Sequence, residues 1–160
     1  MKILFVCTGN TCRSSMAWVI ARRELERAGA LGVEVFSAGT ATIAGLPAAE
    51  KALEAMRELG LDLTGHLSAP LEREMVEEAG LILTMTGRHR QEVLEICPGA
   101  EGKVFTLAGY ACAGGDVPDP YGGGLEVYRL TAAHLSGLIK LVVDKLMKQT
   151  GDRRQETGDL

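Results

Sequence analysis

Residues 2–14 read KILFVCTGNTCRS, an apolar run that leads directly into a short polar loop. The continuous apolar run is typical of a parallel strand that is buried on both faces. The loop has the form C-x5-R-S and precedes a helix that the periodicity predicts over residues 14–28. Because ligands of open α/β sheets bind beyond the carboxyl ends of the strands, this loop is the first candidate for a site.

The loop combines features that suit a bound phosphate. A helix N-terminus offers unpaired backbone N–H groups and a partial positive charge. Gly9 and Asn10 both tolerate left-handed backbone angles, so the N–H groups of residues 8–13 are predicted to curl around an anion. Arg13 adds a planar guanidinium that suits bidentate phosphate contact. The same positive field would stabilise a Cys7 thiolate beneath the phosphate, which is the geometry of covalent phosphoryl transfer.

Other interpretations of the loop are weaker. The sequence contains neither G-x-G-x-x-G nor G-x-x-x-x-G-K-[ST], so two common nucleotide-binding loops are excluded. A buried Cys at a strand end and an Arg at a helix start, with no shared chemistry, is the alternative for C-x5-R alone. The position after an N-terminal apolar strand, together with the Gly, Asn and Ser of the loop, favours a phosphate site.

Short strands and longer helices alternate along the rest of the chain. Strands are predicted over residues 33–36, 81–85 and 104–107, and helices over residues 47–59, 71–79, 88–96 and 125–148. Four strands in such alternation predict an α/β fold, an open four-stranded parallel sheet with helices on both faces. We expect residues 1–148 to form a single domain and residues 149–160 to form a polar, frayed C-terminal tail.

Composition excludes several classes of function. Seventeen Lys and Arg against 21 Asp and Glu give the 160-residue chain a net charge of −4, which argues against a nucleic-acid-binding protein. No apolar run is long enough for a membrane span and no signal peptide is recognisable, so a cytoplasmic location without membrane contact is expected. The four cysteines, at 7, 12, 97 and 112, form no C-x-x-C pair, which disfavours a metal site.

Three stretches together resemble the low-molecular-weight protein tyrosine phosphatase family. The VCTGNTCRS of residues 6–14 is similar to that family's signature, and the Asp-Pro-Tyr of residues 119–121 resembles its D-P-[FY] general-acid loop. The Ser-Ala-Gly of residues 37–39 matches a further family block. The resemblance covers about residues 2–148. It implies that family's fold and a phosphocysteine mechanism that needs no cofactor. One departure is Ser15, where the family usually has proline.

The resemblance implies a role for each matched residue. Cys7 would attack phosphorus, and Arg13 would hold the phosphate oxygens together with the backbone N–H groups of the loop. Asp119 would protonate the leaving group and then act as base for water, with Asp116 as the nearby competitor for this role. Tyr121 would form one wall of the pocket. The predicted phosphate-binding residues are Thr8, Gly9, Asn10, Thr11, Cys12 and Arg13.

The family also suggests residues that support the loop. Ser14 would hydrogen-bond the Cys7 thiolate, and Asn10, Ser37 and His66 would form a network that holds the loop in shape. The alternatives are that Ser14 merely belongs to the first helical turn and that His66 is a surface residue. The cluster at residues 88–90, Arg-His-Arg, is predicted to be a solvated first turn of its helix.

Substrate class depends on Thr11 and Tyr121. Tyrosine-specific members typically have an aliphatic residue at the position of Thr11, whereas the bacterial protein-arginine phosphatase branch has the same C-T-G-N-T-C-R-S loop. A hydroxyl and a carboxylate would both contact a guanidinium. The single aromatic Tyr121, followed by glycines, also matches that branch. We therefore expect phosphoarginine in proteins as substrate and inorganic phosphate as product, with phosphotyrosine as the alternative. Arsenate reduction and non-enzymatic phospho-residue binding are more distant alternatives.

Cys12 suggests redox regulation. It lies in the same tight loop as Cys7, and a neighbouring thiol can trap an oxidised nucleophile as a reversible disulfide. The alternative is that Cys12 is a small buried apolar residue.

Overall fold

The computed structural model describes the backbone of residues 1–158 and the side chains of residues 1–151. A four-stranded parallel sheet with strand order β2-β1-β3-β4 lies at the centre of this part of the chain. Its strands are β1 (Lys2–Cys7), β2 (Glu34–Gly39), β3 (Leu81–Thr84) and β4 (Val104–Thr106). The helices are α1 (Arg13–Arg27), α2 (Glu50–Glu58), α3 (Arg73–Glu78), α4 (Gly87–Ile96), α5 (Leu107–Tyr110) and α6 (Leu125–Gly158), with a 3₁₀ helix over Pro98–Lys103.

The sheet confirms the predicted parallel topology and places helices on both faces. Successive side chains of β1 point to opposite faces, so Ile3 and Phe5 enter one core while Leu4 and Val6 enter the other. Helices α1, α2 and α6 cover the first core, and α3 and α4 cover the second. The residues of β1 from Ile3 to Cys7 are all buried, which explains why the strand is a continuous apolar run.

Strand β1 lies at the point where the chain changes direction across the sheet. The chain passes from β1 to β2 on one side and then crosses to β3 on the other side of β1. Cys7 ends β1 and is paired with Gly39 of β2. The loop that follows Cys7 therefore occupies the crevice that such a switch point opens beyond the carboxyl ends of the strands.

Several element boundaries differ from those predicted. Helix α2 begins at Glu50, because Pro47 pairs with Leu67 in an isolated bridge. Neither the 3₁₀ helix nor the four-residue α5, which the Thr106 side chain caps, was predicted. Helix α6 continues to Gly158, ten residues beyond the predicted end. Residues 149–158 are polar and lack an apolar stripe, so periodicity did not predict this extension.

Residues 159 and 160 of the predicted tail lie outside the described residues, and fraying of the tail stays a prediction. No helix in the described part of the chain has both the length and the apolar character needed to cross a bilayer.

Candidate active site

The loop between β1 and α1 is held in a single tight conformation. Asn10 has a φ of 57°, and it is the one residue of the loop with a positive φ. Gly9, which could also tolerate a left-handed angle, does not adopt one. The glycine that the loop does require is Gly39 in the neighbouring strand, because a Cβ there would lie 2.5 Å from the carbonyl oxygen of Thr8. This close approach lets β2 support the loop from beneath.

Cys7 is buried at the base of the loop with two hydrogen-bonding groups around its sulfur. The backbone N–H of Asn10 donates to Cys7 Sγ at 3.3 Å, and Ser14 Oγ lies 2.9 Å from the same sulfur. Ser14 Oγ accepts a hydrogen bond from Asn10 Nδ2 at 2.8 Å. Its own proton could go to the Cys7 sulfur or to the Ala38 carbonyl oxygen, which is farther away at 3.5 Å. We therefore assign the Ser14 hydroxyl as a donor to the Cys7 sulfur rather than to the Ala38 carbonyl oxygen. Two hydrogen-bond donors therefore converge on the Cys7 sulfur.

Asn10 joins the loop to a second segment of the chain. Its Oδ1 accepts from the Ala69 N–H at 2.9 Å, and its carbonyl oxygen accepts from His66 Nε2 at 2.6 Å. Because a carbonyl oxygen only accepts, Nε2 of His66 carries the proton. Burial lowers the pKa of His66, and the bond to Asn10 partly offsets that effect, so the ring is neutral at neutral pH.

The structure brings Asn10, Ser14 and His66 together as the sequence suggested, but it does not bring Ser37 into this network. Ser37 pairs with Phe5 in the middle of the sheet, two residues before the end of β2. The loop instead contacts the last two residues of that strand, through the Ala38 carbonyl and the space above Gly39. The register of β1 and β2 pairs Gly39, and not Ser37, with Cys7, so Gly39 is the residue of the Ser-Ala-Gly block that lies beside the loop.

Arg13 is the first residue of α1 and is almost completely buried. Its Nη1 donates to the Val117 carbonyl oxygen at 3.1 Å, and its Nη2 lies 3.5 Å from Asp119 Oδ2. Asp119 is half exposed, and its Oδ1 accepts from the Tyr121 N–H at 3.1 Å. Asp116 accepts from the N–H of Gly87 at the start of α4. Of the two candidate acids, it is therefore Asp119 that contacts the guanidinium of the loop.

The loop and the Asp119 segment enclose a cleft of about 240 Å³. Among the loop residues from Thr8 to Cys12, Asn10 alone donates its backbone N–H to an atom of the described residues. The other N–H groups are left for an anion in the cleft. All eight lining residues were predicted from the sequence. They are Cys7, Thr8, Gly9, Thr11, Cys12, Arg13, Asp119 and Tyr121.

Cys12 is buried beside a tyrosine of α6. Tyr128 Oη lies 3.4 Å from Cys12 Sγ, and Thr11 Oγ1 lies 3.9 Å from the same sulfur. Burial raises the pKa of Cys12, and the Tyr128 and Thr11 contacts offset part of that rise. Burial and the Cys12 contact likewise raise the pKa of Tyr128. Cys7 and Cys12 are both free thiols in the structure.

The prediction of a solvated turn at residues 88–90 is wrong for its central residue. Arg88 is exposed, but the side chain of His89 points inward and is only 3% exposed. Its Nε2 lies 2.8 Å from Thr8 Oγ1 and its Nδ1 lies 3.0 Å from Thr86 Oγ1. A sequence signal existed, since Thr86 is three residues before His89 at the predicted helix start, where a capping side chain is common. The sequence did not show that His89 lies within hydrogen-bond distance of Thr8 in the phosphate loop.

Comparison with known proteins identifies what this chain resembles. The family model for low molecular weight phosphotyrosine protein phosphatase matches residues 2–154. A protein-arginine-phosphatase of Bacillus subtilis is 41% identical over 155 residues, covering 96% of this chain and all of the relative. A probable low molecular weight protein-tyrosine-phosphatase, EpsP, of Ralstonia nicotianae is 40% identical over 119 residues, covering 74% of this chain and 77% of the relative.

A solved structure extends the comparison to three dimensions. A YwlE arginine phosphatase, in a cysteine-to-serine mutant with a phosphorylated active-site serine, superimposes with a TM-score of 0.88. It is 40% identical in sequence, and the match covers 92% of this chain and 97% of that chain.

Proposed function

Because the chain belongs to the low molecular weight phosphotyrosine protein phosphatase family and is a protein phosphatase, we propose that it acts on phosphoarginine in proteins through a phosphocysteine intermediate. The observation that carries this choice is the polar rim of the cleft, where the Thr11 side chain and the half-exposed Asp119 carboxylate line the same space as Cys7. A guanidinium presents several N–H donors, and a hydroxyl and a carboxylate both accept such bonds. The 41% identical Bacillus relative bears the name of an arginine phosphatase.

In the first step the Cys7 thiolate attacks phosphorus in line with the leaving nitrogen. The S–P bond forms as the P–N bond breaks, and Asp119 gives its proton to the departing guanidine nitrogen. Arg13 and the free N–H groups of the loop hold the three equatorial oxygens, where negative charge is concentrated. A relative whose active-site cysteine is changed to serine carries a phosphoryl group on that serine, which supports a covalent intermediate at this position.

In the second step water attacks the phosphocysteine. Asp119, now a carboxylate, takes the proton from water, the S–P bond breaks and the thiolate of Cys7 leaves. The two donors on the sulfur, from Asn10 and Ser14, make it a better leaving group. Inorganic phosphate is the product, and the charge on phosphate is met by Arg13 and backbone dipoles, so we propose no metal or other cofactor.

Phosphotyrosine is the second candidate substrate, and one observation favours it. Tyr121 lines the cleft with 82% of its surface exposed, so its ring is available to stack on another aromatic ring. Relatives named as tyrosine phosphatases are also similar to the chain. Arsenate reduction is disfavoured, because the segment from Thr84 to Val93 contains no cysteine that would relay electrons.

The test of the substrate is the variant Thr11→Ile. Replacing the hydroxyl with an aliphatic group is expected to lower kcat/KM on a phosphoarginine peptide by about tenfold, the effect of one lost hydrogen bond at a polar site. The same change is expected to leave or raise kcat/KM on the matching phosphotyrosine peptide, since an aliphatic side chain packs on the phenol ring. The quantity to compare is the ratio of the two specificity constants.

Thr11→Ser is the matched control, because it keeps the hydroxyl and changes only the methyl group. It is expected to retain the ratio of the wild-type protein. An unchanged ratio in Thr11→Ile would show that Thr11 is not the selector. A wild-type preference for the phosphotyrosine peptide would overturn the proposed substrate while leaving the phosphatase chemistry intact.

We also propose that Cys12 protects Cys7 during oxidation. Peroxide would convert the Cys7 thiolate to a sulfenic acid, and the Cys12 thiol would attack it to form a disulfide with release of water. Burial raises the pKa of Cys12, so the Cys12 thiol loses its proton as it attacks the sulfenic acid. The wild-type protein is expected to regain nearly all its activity when peroxide treatment is followed by dithiothreitol.

The variant Cys12→Ser is expected to lose activity that dithiothreitol does not restore, since its Cys7 sulfenic acid is open to further oxidation. Cys112→Ser is the control, because Cys112 is the exposed cysteine and does not line the cleft. Full recovery of Cys12→Ser after peroxide would refute the protective role.

We further propose that phosphorylated proteins are the partners of this protein. We also propose a cytoplasmic location, which localisation of the native protein would test.

A further inference from the structure

A chain of polar contacts that the mechanism above does not use leads from the first turn of α4 to the phosphate loop. His89 lies in the first turn of α4 with its ring buried between two threonines. Thr86 Oγ1 is 3.0 Å from its Nδ1 and Thr8 Oγ1 is 2.8 Å from its Nε2. Thr8 itself is exposed and lines the cleft. A buried imidazole thus touches the one polar side-chain group of Thr8.

The direction of the protons follows from the cap at the start of α4. Thr86 Oγ1 accepts the backbone N–H of His89 at 3.2 Å, so its own proton is the group left to donate. In the described part of the chain its one acceptor within reach is His89 Nδ1. We therefore assign the remaining ring proton to Nε2, which donates it to Thr8 Oγ1. The proton of the Thr8 hydroxyl is then free for another acceptor.

Burial, together with nearby positive charge, keeps the His89 ring neutral by lowering its pKa. Arg13 of the loop and Arg88 of the same helix face it with positive charge, while Glu92 and Asp116 contribute negative charge. Burial is the largest influence on its pKa and Arg13 the next, and both lower it. At neutral pH the ring therefore accepts at Nδ1 and donates at Nε2.

We propose that His89 is a positioning residue that turns the Thr8 hydroxyl into a hydrogen-bond donor for the phosphoryl group held in the loop, an inference that rests on the proposed function. With its lone pairs partly occupied by the imidazole N–H, the Thr8 hydroxyl directs its proton into the cleft rather than accepting from within the protein. Thr8 thereby adds a side-chain donor to the backbone N–H groups and Arg13. The relay couples the N-terminus of α4 to the phosphate site.

The experiment measures the inhibition constant of inorganic phosphate and the kcat/KM of p-nitrophenyl phosphate in single and double variants. Thr8→Val removes the hydroxyl with little change of shape and is expected to weaken phosphate inhibition about tenfold, as for a lost bond to a charged acceptor. His89→Leu is expected to weaken it by a similar factor. The double variant is expected to be no weaker than Thr8→Val within about twofold, because His89 acts through Thr8.

A second variant keeps the proposal testable if leucine destabilises the buried site. His89→Gln carries an amide N–H near the position of Nε2 and is expected to recover most of the phosphate affinity. His134→Leu is the matched control, since His134 is exposed on α6, and it is expected to behave as the wild type. Circular dichroism melting of each variant reports folding separately from binding.

Two results would overturn the proposal. One is a double variant whose loss of phosphate affinity equals the product of the two single-variant losses. That result would mean that His89 acts on packing independently of Thr8. The other is a His89→Gln variant as weak as His89→Leu while both melt like the wild type. If wild-type protein fails to hydrolyse p-nitrophenyl phosphate, the proposed function fails. The phosphate relay is then judged by direct calorimetric binding of phosphate to the same variants.

Discussion

Replacing Cys7 with serine is expected to lower kcat for p-nitrophenyl phosphate by at least about four orders of magnitude. The site is built for a sulfur anion, since the Asn10 N–H and the Ser14 hydroxyl both point at Cys7 Sγ. A serine hydroxyl is a weak nucleophile that must lose its proton during attack. No side chain at the base of the loop is placed to take that proton, because Ser14 and Asn10 present donors there.

The same variant is expected to keep its affinity for inorganic phosphate within a few-fold, because Arg13 and the loop N–H groups are unchanged. Mass spectrometry after long incubation with substrate is expected to find slow phosphorylation of the new serine, as in the solved relative. Cys97→Ser, at a buried cysteine of the other core, is the control for loss of a thiol alone. A Cys7→Ser variant with more than about a hundredth of wild-type kcat would refute Cys7 as nucleophile.

Asp119→Asn is expected to reduce kcat/KM on a phosphoarginine peptide by about 10²–10⁴-fold, the usual contribution of a general acid. The amide has no acidic proton for the leaving nitrogen and cannot accept one from water in the second step. The loss of kcat/KM is expected to be smaller on p-nitrophenyl phosphate, because p-nitrophenolate leaves without much help from protonation. This dependence on the leaving group distinguishes an acid from a residue that only binds.

Asp116→Asn is the matched control, since Asp116 bonds the Gly87 N–H and makes no contact with the guanidinium of Arg13 in the described residues. We expect it to change kcat/KM by less than about threefold, as a substitution away from the reacting atoms. Equal losses on both substrates for Asp119→Asn would indicate a role in binding alone. A larger loss in Asp116→Asn than in Asp119→Asn would reverse the assignment of the acid.

Elements whose pattern is local in the sequence were predicted well. The apolar run of β1 and the following helix could be read directly, because burial on both faces leaves no polar position in the strand. Short elements with little periodicity were missed. The four-residue α5 and the 3₁₀ helix over Pro98–Lys103 are examples, since their formation depends on a capping Thr106 and on packing rather than on a repeat.

The support of the loop was predicted less completely than the loop itself. Ser37 was expected in the network and lies outside it, because strand register brings Ala38 and Gly39 to the loop instead. His89 was expected in solvent and is buried against Thr8. Both errors concern residues far from the loop along the chain. Their distance to it depends on the pairing of β1 with β2 and β3.

The phosphate loop and the residues that line the cleft could both be predicted from the amino-acid sequence. Those features are local: a strand, a turn and a helix N-terminus within residues 2–14, and an Asp-Pro-Tyr segment with its own turn chemistry. The partners of Arg13 and Thr8 come from distant parts of the chain, and the sequence did not reveal all of them. Hydrogen bonds act over about 3 Å, and only the folded chain brings His66, His89 and Asp119 within that range or close to it.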